Sequence, residues 1–208
     1  MTPQIEAWVI GASIAGVAAQ GAAAVLEAGR RSFDLMGVLV VALAASLGGG
    51  SLRDMLLDRP VFWIADQRYL LAAIVAALVT FCVARIWRLP VRLFVIADAF
   101  GLALFTVAGA QAAIASQAPW LVVSLMGVMT GAAGGLVRDV LCNQTPLIML
   151  SGELYASASW LGALLLVAVH EAGFGPDVAS VTGGLTVLGL RLGAMRYHWH
   201  LPVFSARE

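Results

Sequence analysis

Two short stretches hold the charges that could do chemistry in this sequence. Gly48-Gly49-Gly50-Ser51-Leu52-Arg53-Asp54 and Gly134-Gly135-Leu136-Val137-Arg138-Asp139 each put an Arg-Asp pair three residues after a glycine cluster, and the two align at a shift of 85 residues. A guanidinium beside a carboxylate can clamp both ends of a small zwitterion. It can equally line an ion path, the carboxylate drawing cations while the guanidinium is held by hydrogen bonds. Neighbours on a helix point ~100° apart, so each Arg is expected to pair outside its own segment, Arg53 with Asp139 and Arg138 with Asp54. Asp98 and Glu153 are the other acids set in apolar sequence. Asp98 could line the same path or simply begin a helix, where a carboxylate suits the amino-terminal dipole. No Ser–His pair stands at comparable depth, which leaves intramembrane hydrolysis without a base and argues against an enzyme. Cys82 and Cys142 have neither disulfide nor metal-ligand spacing, so no cofactor is expected.

The elements that must hold these charges are membrane-spanning helices. The 208-residue chain is 61% hydrophobic and 12% charged, with a mean hydropathy of +0.93, whereas soluble domains run near ~25% charged. A hydrocarbon layer of ~30 Å takes ~20 apolar residues per crossing. Apolar runs predict seven spans, near 5–27, 34–57, 69–86, 93–115, 120–141, 153–170 and 178–195. Little chain remains for a soluble domain, so 1–208 reads as one transmembrane domain and function narrows to transport, signalling or intramembrane chemistry. All twelve basic residues are Arg, balanced by twelve acids. With no polybasic block, nucleic acid is not an expected partner; membrane lipids are.

Beyond the motifs, Pro60 matches Pro146 and Tyr69 matches Tyr155, each at 86 residues, and Gln20 matches Gln111 more loosely. Repeat one covers about 5–86 and repeat two about 93–170; the span at 178–195 has no counterpart. Three spans per repeat is an odd number, so the second copy enters the membrane from the opposite side. Inverted repeats with Gly-interrupted helices at corresponding positions mark transport pathways at the repeat interface. Glycines inside a helix weaken it by ~1 kcal/mol each relative to Ala, so spans two and five are expected to bend or unwind at Gly48–Gly50 and Gly134–Gly135. The alternative is that these glycines only let two helices touch. Gly183, Gly184, Gly189 and Gly193 suit span seven to close packing rather than chemistry.

These residues resemble the bacterial trimeric intracellular cation (TRIC) channel family, also catalogued as a glycine transporter domain. The resemblance rests on Gly48 to Leu56 followed by Pro60-Val61-Phe62-Trp63, on Gly134 to Leu141, and on the 3+3+1 layout. It implies an all-α membrane protein with glycine-kinked second and fifth helices, assembled as a homotrimer. It further implies a pore inside each subunit for potassium or sodium, bordered by the two motifs, Ser51 included. Ala132-Ala133-Gly134-Gly135 departs from a run of three glycines, so the second kink is expected to be stiffer. The residues alone leave open an alternating-access carrier for a small zwitterion such as glycine. Self-association is expected through small-residue faces on spans one, four or seven.

Nine Arg fall on the side of the C-terminus against three on the other; discounting Arg138 and Arg53 leaves eight to two. This bias predicts an inner-membrane protein with its N-terminus outside and its C-terminus cytoplasmic. Reporter fusions after Arg196 should be active in the cytoplasm and fusions before Ala7 outside; the opposite pattern overturns the topology.

Overall fold

A computed structural model describes residues 3–87, 89–150 and 154–202, with side chains from residue 10 onward apart from residue 91. The described chain is helical: α1 (Pro3–Ala28), α2 (Leu35–Leu56), α3 (Phe62–Ala65), α4 (Gln67–Ile86), α5 (Val91–Ala115), α6 (Trp120–Leu141), α7 (Ala156–Glu171) and α8 (Pro176–Tyr197). Six of these are long and apolar enough to cross a membrane. The expected sixth span is the exception: α7 has 16 residues, a rise of ~24 Å against a ~30 Å hydrocarbon layer. Glu153, expected to open that span, lies outside the described residues.

Local chemistry sets the helix ends. The Asp34 carboxylate caps α2 by accepting from the Gly37 N–H at 2.7 Å, and Asp66 caps α4 by accepting from the Arg68 N–H at 3.0 Å. Pro176 opens α8, where a missing N–H costs nothing.

The polarity of the fold is that of a protein dissolved in lipid. Met36, Val40, Leu71, Val75, Leu121, Leu161 and Leu185 are exposed on its flanks, while Ser46, Thr106, Ser124, Thr130, Ser159 and, among the described residues, seven charged side chains of the helices are buried among them. Buried hydroxyls find partners, as Thr106 Oγ1 does with Ser159 Oγ at 2.7 Å between α5 and α7. At the centre α1 packs on α2 and α5, and α6 packs on both α2 and α5, giving a four-helix ring. α4 lies outside α1 and α2, α7 lies on α6, and α8 covers α7 and α5.

The glycine clusters stand where α2 crosses α6. Both helices are helical without interruption through them, so the expected unwinding is absent and the glycines serve close approach. A Cβ at Gly49 would overlap the Thr130 carbonyl oxygen, and one at Gly134 would overlap that of Ala45. The two contacts are one contact seen twice, since Gly49 and Gly134, like Ala45 and Thr130, are 85 residues apart. Small residues let backbones meet in lipid, where no hydrophobic force draws helices together. α1 and α5 cross in the same manner: Gly16 faces Phe105, and Gly101 faces Gln20. In this register Gln20 corresponds to Phe105, which replaces the looser match of Gln20 with Gln111.

Gly48, by contrast, has nothing within 4 Å of an added Cβ. Gly134→Ala should therefore destabilise the protein by about 1–3 kcal/mol, as overpacking against rigid backbone does. Gly48→Ala should be neutral or mildly stabilising. Thermal unfolding in mild detergent checks the pair, and equal shifts would contradict this packing.

Candidate functional site

Each Arg-Asp motif occupies the last turn of its helix and fastens the loop that follows. Asp54 Oδ1 accepts from Arg53 Nε at 2.8 Å and lies 2.7 Å from Arg53 Nη2. Its Oδ2 accepts the Phe62 backbone N–H at 2.9 Å, and its carbonyl accepts the Arg59 N–H at 2.8 Å. The second motif repeats the pattern. Asp139 Oδ1 accepts from Arg138 Nε at 2.8 Å, its Oδ2 accepts the Leu147 N–H at 2.9 Å, and its carbonyl accepts the Gln144 N–H at 2.8 Å. The turn between is made by Asp58 and Asn143, at φ of 50° and 52°, residue types that tolerate the left-handed region.

The expected exchange of partners between halves does not occur; each Arg pairs with the Asp beside it. The Asp is held at its helix end by the backbone it caps, while the long Arg stem folds back so that Nε reaches the neighbouring carboxylate. The ~100° between adjacent side chains is bridged by Arg length.

Beyond this shared frame the two clusters differ. The Arg53 guanidinium stands 5.6 Å from the Phe62 ring centroid and retains 9% exposure. Ser51 tethers α3 to this end of α2, donating to the Leu47 carbonyl at 2.8 Å and accepting from Trp63 Nε1 at 2.9 Å. Arg138 is fully enclosed, at 0% exposure. It takes a second carboxylate, Nη1 lying 2.5 Å from Asp98 Oδ1, and its guanidinium sits 4.8 Å from the Phe94 ring. The other face of this cluster holds Tyr155, whose hydroxyl donates to Asp98 Oδ1 at 3.3 Å and whose ring lies 5.0 Å from the Arg191 guanidinium. Asp98 thus lies within α5 as an ion-pair partner, which sets aside the helix-start alternative.

The position in the first half that corresponds to Asp98 is Ser13. The first cluster therefore sums to zero with one pair, Arg53 and Asp54, and the second with Arg138 and Arg191 against Asp98 and Asp139.

Gly50 and Gly135 make room for the partners that follow. A Cβ at Gly50 would stand 2.5 Å from Phe62 Cε1, and one at Gly135 would stand 2.5 Å from the Tyr155 hydroxyl. Sequence reasoning missed Phe94, Tyr155 and Arg191 as members. The signal for Arg191 was its lone charge in an apolar run; α8 contributes chemistry as well as small-residue packing. Arg30, bonded to Glu27 at 3.1 Å, lies 5.5 Å from the same Phe94 ring that faces Arg138, so a third guanidinium flanks this cluster.

A family model described as glycine transporter matches residues 11–85 and 95–171. The UPF0126 inner membrane protein YadS of Escherichia coli K12 is 38% identical over 198 residues, 94% of this chain and 95% of that protein. A UPF0126 membrane protein of Vibrio cholerae is 39% identical over 192 residues, 91% of this chain and 80% of that one. Among solved structures, the TRIC trimeric intracellular cation channel orthologue from Rhodobacter sphaeroides superimposes with a TM-score of 0.87 at 32% identity, covering 92% of this chain and 98% of that one.

Removing one partner from a buried ion pair costs about 3–5 kcal/mol because the other charge stays buried. Asp98→Asn should lose stability of that order in denaturant titration of the micellar protein. Ser13→Ala, at the corresponding place in the first half, should lose far less; similar losses would mean that Asp98 does not hold Arg138.

Proposed function

This chain belongs to the TRIC cation-channel family, whose domain is also described as a glycine transporter, and we propose that it conducts monovalent cations, potassium and sodium, through a pore inside each subunit. The observation that carries this is the burial of Arg53, Asp54, Asp98, Arg138 and Asp139 among membrane helices. A charge at the bilayer centre costs ~2.5–3.5 kcal/mol even on insertion scales, and such residues line ion and substrate pathways. The pore lies within the ring of α1, α2, α5 and α6, between two inverted repeats, α1–α2–α4 and α5–α6–α7, with α8 added. Seven helices cross the membrane, α7 with its lead-in included, the N-terminus outside and the C-terminus in the cytoplasm. The likeness to a trimeric orthologue supports a homotrimer, and the inner-membrane relative supports that location.

The two motifs border the pore at its opposite ends. Their arginines are occupied by carboxylates and aromatic rings, which leaves the path near neutral and open to weakly held cations rather than anions. Gly48–Gly50 and Gly134–Gly135, with no side chains to stiffen them, are the points at which α2 and α6 bend when the pore opens.

Purified protein in a planar bilayer should give unitary current steps under voltage, reversing near the potassium equilibrium potential in a potassium gradient. Substrate flux without unitary steps would mean an alternating-access carrier for a zwitterion such as glycine.

A further inference from the structure

Gln20, a long polar side chain of α1, is set at the crossing of α1 and α5, and it is 0% exposed. Neither of its amide atoms, Nε2 nor Oε1, has a hydrogen-bond partner among the described residues. Its side chain lies over Gly101 of α5, so closely that a Cβ there would come within 2.6 Å of Gln20 Cγ. Buried amides in folded proteins are almost always satisfied, and one that is not points to water or an ion.

Asp98 stands one helical turn before Gly101, and residues three apart share a helix face. Its Oδ1 is taken by Arg138 and Tyr155, whereas its Oδ2 is buried and without a partner. Two buried oxygen acceptors without a hydrogen-bond partner, the Gln20 amide oxygen and Asp98 Oδ2, thus stand about one helical turn apart along α5. The symmetry-related position has no such pair: there Ser13 takes the place of Asp98, and Phe105 takes the place of Gln20.

Given the channel function above, on which this rests, we propose that Gln20 and the free oxygen of Asp98 form a coordination site for the permeant monovalent cation at the constriction where α1 and α5 cross. In the conformation described Gln20 is sealed from solvent by the packing of α1 on α5. When α1 and α5 part, the amide carbonyl and the carboxylate oxygen replace part of the hydration shell of the ion. The chemistry suits a monovalent ion. Asp98 is already neutralised by Arg138, and a divalent cation would call for more net negative charge than one paired carboxylate supplies.

The test uses full-length protein, its assembly verified by native mass, with unitary currents recorded in potassium and sodium. Gln20→Leu removes the amide and keeps the bulk; potassium conductance should fall by about tenfold or more. Gln20→Glu adds a carboxylate, and should shift the potassium-to-sodium permeability ratio by about twofold or more. Wild-type conductance and ratio in both variants would overturn the proposal, leaving Gln20 as the holder of a trapped water. Should the Leu variant not assemble, Gln20→Asn decides: the amide withdrawn by one methylene should change the permeability ratio, and an unchanged ratio and conductance overturn the site. Absence of current from the wild-type protein would remove the channel function and this site with it, an outcome distinct from the other two.

Discussion

Arg138 is enclosed on every side at the heart of a membrane protein, and a guanidinium cannot be deprotonated to escape the cost. Taking such a charge out of water is tolerable only with excellent geometry from opposite charges and hydrogen bonds. The rest of the second half is arranged around that requirement. α5 brings Asp98, α6 ends on Asp139, the loop before α7 brings Tyr155, and Phe94 supplies a ring face. Asp139 answers the Arg and the loop together, since one oxygen takes the guanidinium and the other takes the Leu147 amide.

Such an arrangement needs helices that approach closely, which in lipid comes from small side chains rather than from hydrophobic force. Gly49 and Gly134 carry the crossing of α2 and α6, and Gly16 and Gly101 carry that of α1 and α5. The charges sit at the ends of α2 and α6 because the crossings take up their middles. Glycine in these helices therefore brings the two halves together.

The two halves share a frame without sharing a chemistry. The Asp54 and Asp139 clips agree hydrogen bond for hydrogen bond, down to the left-handed Asp58 and Asn143. Around that frame Ser13 stands against Asp98 and Gln20 against Phe105. The cluster at the end of α2 keeps a partly exposed Arg53, while that at the end of α6 is sealed.

The sequence by itself determined what depends on composition and near neighbours. The apolar runs found the long helices to within about two residues, since lipid demands unbroken apolar stretches there; the exception was α7, which begins at Ala156 rather than 153. The spacing of Gly49, Asp54, Gly134 and Asp139 gave the internal correspondence, because a repeated local clip leaves a repeated local pattern. Tertiary structure alone decided which partner each charge takes. Arg138 meets Asp98, forty residues away, and Tyr155, at the start of α7, meets Arg191 of α8, choices set by the rotation and depth of one helix against another. Helical periodicity fixes which residues share a face but not which faces meet. It was equally silent on whether a glycine unwinds its helix or admits a neighbour, because that depends on the carbonyl of Ala45 or Thr130 lying opposite.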